Sequence, residues 1–449
     1  MFLTFFPCLF VLSSCSSDDY LNVIPQNSTA IVSIDTKEWF GNSVTGDKLD
    51  YVKKIFHVED LDECGIDLER KAYVFETVDG NIGLVLKIKD EDHLTDWLDN
   101  LSKIGHCKKI NKRKNINFSL IGDKWMIGYS SDALLIMGPI LPAQQAEMQR
   151  QMIRYFEQDE EQSIKFTLLF EKLDSLESPV SLVAQVDALP EKMVAPFTIA
   201  APKGADASQI LIAAEIYSKD NECIEILGET FSFNKGIDNA LKENMKVFRP
   251  IKGTYLKCIP QESALGVFMN VKGNDFINLL HSNKYFQTLL AGINTAIDMD
   301  NIIRSVDGDI AFVIPEFSDA GNIPQMMAQL SNKNFLKDVD YWKESCLKGS
   351  EITDWKNNSY CYTDGNLKYY FGVSDDLQFY SGNTPEMAIN SILSSPKSLQ
   401  DNICKEVRGK QICFVLNVAS IFKENKGENS AFGLLKPLFG NIKTILYTV

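Results

Sequence analysis

Short bursts of alternating apolar and polar residues run along most of the chain, and a few longer stretches take up a helical period. Residues 31–35, Ile-Val-Ser-Ile-Asp, predict a strand entered through Pro25. Residues 73–78 and 82–88 are β-rich and flank Asp79-Gly80, which predicts a two-residue hairpin because glycine accepts the positive φ of the turn. The spacing predicts a helix over 47–56, with Leu49, Val52, Ile55 and Phe56 on one side. The most regular helix is expected from about 90 to 104. Leu94, Trp97, Leu98, Leu101 and Ile104 form one apolar stripe, which puts Trp97 in the core, and Asp90, Glu91 and Asp92 stand where the helix dipole favours them. Strands follow at 116–121, 124–129 and 133–137, with Gly122-Asp123 and Ser130-Ser131-Asp132 as turns. Residues 142–176 are mainly helical. A strand at 180–186 and a hairpin of 210–217 with 223–231 come next.

The pattern then starts again. Tyr20-Leu21-Asn22-Val23-Ile24-Pro25-Gln26-Asn27-Ser28-Thr29-Ala30-Ile31-Val32 recurs as Tyr255-Leu256-Lys257-Cys258-Ile259-Pro260-Gln261-Glu262-Ser263-Ala264-Leu265-Gly266-Val267, with Tyr, Leu, Ile, Pro, Gln, Ser and Val in the same places. In the same order, 65–68 is answered by 296–299, Val78-Asp79-Gly80 by Val306-Asp307-Gly308, 128–132 by 372–376, Gly138 by Gly382, and 183–186 by 415–418. The Trp97 helix has a counterpart around Phe335, Val339 and Trp342. An internal duplication is expected, with repeat 1 at 20–249 and repeat 2 at 250–449. Residues 442–449 resemble the first strand of the closing hairpin without its mate. That predicts a C-terminally truncated second repeat with an unpaired edge.

Residues 1–12 are an apolar run too short to span a bilayer, which suits a signal peptide over 1–14. Leu12-Ser13-Ser14-Cys15 is similar to a bacterial lipobox, with Cys15 the lipidated residue and 15–19 a short tether. Asp18 and Asp19 in Ser16-Ser17-Asp18-Asp19 resemble a surface-export signal. The first fourteen residues contain no Lys or Arg, so the usual basic start of a signal peptide is missing.

Composition narrows the field further. The 449 residues fit two domains of ordinary size, and 45% hydrophobic content supplies their cores. A net charge of −15 argues against nucleic acid and against electrostatic docking on an anionic leaflet. The one basic cluster, 108–114, is expected to be a solvated loop. The cysteines remaining after Cys8 and Cys15 are expected to be isolated buried thiols.

Known chemistries find little purchase. The loop 41–48 resembles a phosphate loop, but Asp47 precedes Lys48 and no Ser or Thr follows it. Ser130 lacks the glycine of a nucleophile elbow, since Asp132 stands there. The four histidines, His57, His93, His106 and His281, show no metal-ligand spacing, so no metal site is expected. Trp39 and Trp355 are the tryptophans without a core pattern. Asp174-Ser175-Leu176 makes Ser175 a candidate O-glycosylation site.

The lipobox, the Tyr-Leu-x-x-Ile-Pro start, Gly65-Ile66-Asp67-Leu68, the Val-Asp-Gly turn and the Gly128 to Gly138 segment together resemble a family of Bacteroidota lipoproteins, the domain-of-unknown-function family numbered four-eight-three-six. The resemblance implies an envelope location and supplies no catalytic residue. The resulting expectation is an α+β fold of mainly antiparallel sheets with packed helices in two similar halves. The expected function is that of a non-enzymatic, cofactor-free structural or binding lipoprotein at the outer membrane surface, whose partners are the membrane and an envelope protein or glycan. Two alternatives are a glycan-binding or hydrolytic component of nutrient uptake and a subunit of a surface assembly.

Overall fold

A computed structural model describes residues 18–41, 53, 57–189, 197–219, 222–282, 297–317, 324–365, 367–420 and 442–449. The fold is α+β, with antiparallel-rich sheets and packed helices. The described residues divide into two compact units, with 18–37, 53 and 57–171 in the first and 38–41 together with those from Lys172 onwards in the second. The sequence repeat, by contrast, begins its second copy at Tyr255.

The first unit holds β1 (Ala30–Ile34), β2 (Ala72–Glu76), β3 (Ile82–Lys87), β4 (Asn111–Arg113), β5 (Ile116–Ile121), β6 (Trp125–Tyr129) and β7 (Ala133–Gly138). They pair antiparallel in the order β1-β2-β3-β7-β6-β5-β4. The basic cluster, expected as a loop, is partly strand, because Asn111–Arg113 pairs with β5. The Asp79-Gly80 turn is longer than two residues. The Thr77 N–H donates to the Asn81 carbonyl at 3.0 Å, and Gly80 takes the left-handed position at φ 74°, the arrangement of a three-residue hairpin loop.

Successive side chains of a strand point to opposite faces, so the sheet has two apolar sides to cover. Ile127, Tyr129 and Leu134 pack under the helix Glu91–Lys103 through its Leu94, Leu98 and Leu101. The Asp90 side chain caps that helix, accepting from the N–H groups of Asp92 and His93 at 3.0 Å. Gly128 faces the other way and leaves room for Met152 and Phe156 of the helix Gln145–Glu157. Ile104 leaves the predicted stripe: the helix stops at Lys103, and Ile104 is 58% exposed.

The second unit holds β8 (Val180–Gln185), β9 (Leu211–Lys219), β10 (Cys223–Phe231), β11 (Phe248–Arg249), β12 (Leu265–Lys272), β13 (Val306–Ile314), β14 (Gln325–Leu330), β15 (Ser350–Lys356), β16 (Ser359–Asp364), β17 (Leu367–Val373), β18 (Gln378–Gly382), β19 (Ile412–Asn417) and β20 (Thr444–Thr448). Around β12 the order is β12-β13-β14-β18-β17-β16-β15, all antiparallel. On its other side β12 pairs with β19, β19 with β20, β20 with β10, β10 with β9 and β9 with β8. Alternation is strict enough to build two cores. Met269, Val271, Ile310 and Ile412 enter one, while Phe268, Ala311, Cys413 and Val415 enter the other.

The expectation of an unpaired final strand is overturned. Strand β20 lies between β19 and β10, antiparallel to the first and parallel to the second, with Cys223 opposite Thr444 and Leu227 opposite Thr448. Strand β10 fills the place the sequence left open. The matched Val-Asp-Gly triplets also occupy different places. Residues 78–80 form a hairpin turn, whereas Val306 opens β13 and Gly308 lies in its irregular start. The predicted helix over 47–56 lies almost entirely outside the described residues.

Candidate functional site

The repeated stretch is a clamp, and each unit carries one. In the first unit Pro25 bridges to Ser163, the Gln26 N–H donates to the Gln162 carbonyl at 3.2 Å, and the Ile164 N–H donates to the Ile24 carbonyl at 2.9 Å. In the second, Pro260 bridges to Ser398, the Gln261 N–H donates to the Lys397 carbonyl at 2.8 Å, and the Leu399 N–H donates to the Ile259 carbonyl at 3.1 Å. Pro25 and Pro260 have no N–H to give, so each bridge uses the neighbouring residues' donors. Tyr20 and Tyr255 are both buried. The Tyr20 hydroxyl donates to the Lys71 carbonyl at 2.8 Å, whereas the Tyr255 hydroxyl is buried with no partner. Burial, and then the Asp309 charge, push the Tyr255 phenol well above its ordinary value.

Asp309 is the most heavily bonded buried carboxylate described. It accepts from the N–H groups of Lys252 at 3.0 Å, Gly253 at 2.7 Å and Thr254 at 2.8 Å, and from Asn270 Nδ2 at 2.7 Å. It anchors the chain just ahead of Tyr255.

Of the described cavities, two are lined by more than one charged side chain. One in the first unit measures about 430 Å³ and is lined by His57, Glu63, His93, Asp96, Trp97 and Asn100, with Ile104 at its rim. The helix Glu91–Lys103 brings His93, Asp96, Trp97 and Asn100 to it by helical spacing. His57 closes one side with its ring stacked on His106, centroids 4.3 Å apart. Trp97, expected in the core, is half-buried and forms part of this wall. One aromatic face beside carboxylates, an amide and imidazoles can stack on an apolar ring face and hydrogen-bond its hydroxyls. The sequence signal was His93-x-x-Asp96-Trp97-x-x-Asn100, hidden because Trp97 also fits the apolar stripe. The other cavity, about 820 Å³ in the second unit, is lined by Lys257, Gln261, Lys397, Asp401, Asn417 and Lys443 among others. Two of its lysines are already matched, since Lys257 pairs with Asp401 and Lys443 with Glu222, each at 2.6 Å.

The residues singled out from sequence are scattered. Leu12, Ser13, Ser14 and Cys15 lie outside the described residues, as do residues 42–48 of the glycine-flanked loop. Asp18 is exposed and Asp19 half-exposed at the start of the first 3-10 turn, Asp19–Val23. Ser175 is exposed just after the helix Leu168–Asp174, its hydroxyl donating to the Lys172 carbonyl at 2.6 Å. Ser130 and Asp132 form the β6–β7 turn, where Asp132 accepts from Lys87 at 3.2 Å. Trp342 is buried against Phe335, and Trp355 is half-buried against Tyr370. Among the described residues no group of three or more His, Cys, Asp or Glu could hold a metal ion. Cys64, Cys107, Cys258, Cys361, Cys404 and Cys413 are buried and form no disulfide, whereas Cys346, expected to be buried, is half-buried. No described helix is long and apolar enough to cross a membrane.

These features define a two-unit α+β protein with a repeated structural clamp and a polar, aromatic-walled cavity. Over residues 20–426 the chain matches the domain of unknown function DUF4836, and it belongs to that family. No curated protein matches it. Among solved structures it is similar to crystal form IV of TP0453, with 12% identity over 47% of this chain and 78% of that one and a TM-score of 0.30. Crystal form III gives 11% identity over 52% and 88%, with a TM-score of 0.29. Neither likeness bears on function.

Proposed function

We propose that this chain is a lipid-anchored cell-envelope protein, held at the outer membrane through Cys15, that acts as a structural or binding component and not as a catalyst. The carrying observation is the spacing between the lipobox and the fold. Cys15 stands four residues before Asp19, where the first element begins, and Tyr20 is already buried. A lipobox so close to a folded edge suits a tethered globular protein. Asp18 and Asp19, which are exposed and half-exposed, are read as the export signal, and their accessibility supports that reading. Metabolic labelling with an alkyne fatty acid tests the reading. Labelled, membrane-bound protein is expected from the parent and unlabelled protein from Cys15→Ser. An unlabelled parent, or an equally labelled variant, refutes it.

The two-half architecture is read as a duplication. It is supported by the common strand order of β1-β2-β3-β7-β6-β5-β4 and β12-β13-β14-β18-β17-β16-β15, and by the paired clamps at Pro25 and Pro260. On this reading the last strands of repeat 1, β8 to β10, complete the sheet of the second unit. The compact units and the repeats therefore divide the chain at different points.

A second reading, glycan binding, is favoured by the Trp97 cavity. Trp97→Ala is expected to abolish any signal the parent gives on a glycan array. A parent that binds no glycan removes this reading and leaves the first intact.

A further inference from the structure

We infer that the first unit lies against the membrane through Phe166 and Leu168, a pair of exposed apolar side chains beside the tether, so that the protein is held flat by a face and not only by its lipid. The inference rests on the lipid anchor at Cys15 proposed above. Phe166 is 66% exposed and Leu168 56% exposed, although each is a large apolar side chain within otherwise well-packed surroundings. Phe166 belongs to the turn Ile164–Phe166, which packs on Asp19–Val23. The attachment is specific. The Ile164 N–H donates to the Ile24 carbonyl at 2.9 Å, Lys165 Nζ donates to Asn22 Oδ1 at 3.4 Å, and Gln158 Nε2 donates to the carbonyls of Asn22 and Ile24. One turn on, Phe170 meets Tyr73, which meets Tyr20, each step 6.2 Å between ring centroids. Phe166 and Leu168 are thus fixed to the same element that receives the chain from Cys15.

The length of the tether chooses the occupant. Three residue steps separate Asp18 from Cys15, a reach of about 10 Å when fully extended. The headgroup layer is itself about 5–7 Å deep on each side of the hydrocarbon. The Asp19–Val23 turn can therefore stand no farther than the headgroups plus a few ångströms, and whatever projects beside it meets the interface. Phenylalanine and leucine are side chains that partition there. The adjoining charge does not form a basic patch, since Lys165 pairs with Glu160 at 2.5 Å and Asp18 and Asp19 flank the entry. The contact is apolar, and it should form on zwitterionic lipid and persist in salt.

The test uses the acylated full chain in phosphatidylcholine vesicles. An environment-sensitive fluorophore is attached at Phe166→Cys, and separately at Leu168→Cys and Ile104→Cys. The unsubstituted protein, carried through the same labelling, gives the background. Ile104 is exposed just past the end of the helix that covers the opposite face of the sheet, which makes it the control. The expected result is that shallow nitroxide lipids quench the probes at 166 and 168 at least about twofold more strongly than the probe at 104, with no loss in high salt. Equal, weak quenching at all three positions in vesicle-bound protein overturns the face contact while sparing the anchor. Strong shielding of the probe at 166 only in native membranes, and not in pure lipid, overturns it in favour of a protein partner. Absence of acylation overturns both readings, and acyl labelling records that outcome separately.

Discussion

Replacing Asp309 with alanine should damage the second unit about as much as truncating a large buried apolar side chain would. The carboxylate is 3% exposed and accepts from three consecutive backbone N–H groups and from Asn270. Hydrogen bonds to a charged acceptor are worth about 1.5–3 kcal/mol each, and an orphaned buried donor costs about 1–3 kcal/mol. Four such terms do not add, because they share one acceptor and a relaxed segment can recover water. The working figure is that of a broken buried polar network, about 3–5 kcal/mol. Asp309→Asn keeps the volume and one oxygen but turns an amide N–H₂ towards backbone donors, so about 2–3 kcal/mol is expected. The loss should be local first, releasing residues 250–258 before the sheet opens. Hydrogen exchange resolved by peptide is the assay, with thermal unfolding as a second measure expected to drop on the order of 10 °C for alanine. An alanine variant within about 0.5 kcal/mol of the parent, with unchanged protection at Lys252 to Thr254, would refute the reasoning.

Two further outcomes follow from the same energetics. Tyr20→Phe should cost about 1 kcal/mol, because it removes the hydroxyl that donates to Lys71, whereas Tyr255→Phe should be neutral or stabilising, because its hydroxyl is buried without a partner; chemical denaturation of the two variants measures the difference, and equal effects would contradict it. Burial raises the Cys258 thiol from its ordinary 9.0 to about 11. The folded thiol therefore keeps its proton where the unfolded one has lost it, so its stabilising contribution is intact below pH 9 and is lost as pH rises from about 9 to 11, by roughly 2–3 kcal/mol. Denaturation midpoints across that window report the loss, and Cys258→Ser should lessen it by that share, with the other buried thiols still contributing.

Much of the architecture could be read from residue periods, because a strand or helix with one buried face writes its period into the sequence. The helix Glu91–Lys103, the hairpin of β9 and β10 and the turn at Ser130 are of this kind. Three features were hidden, each for a physical reason. The pairing of β10 with β20 joins distant segments through backbone groups, which carry no side-chain signature. The edge strand Asn111–Arg113 has every side chain exposed and so shows no alternation. Trp97 is amphipathic in position as well as in chemistry. It belongs to the apolar stripe and still shows part of its ring to the cavity, and a stripe cannot tell those apart. The Val-Asp-Gly match shows the opposite error, since so short a triplet fits a hairpin turn at 78–80 and the irregular start of a strand at 306–308 equally well.

The placement of β20 also sets an order of events. The strand joins residues 223–231 to residues 412–417, so the sheet of the second unit stays open along that seam until Thr444–Thr448 arrives. Such late, long-range closure is slow, because the loop entropy is lost before the contact is made. On the proposed reading of an exported chain, that delay would keep the seam between β10 and β19 open until Thr444–Thr448 had followed.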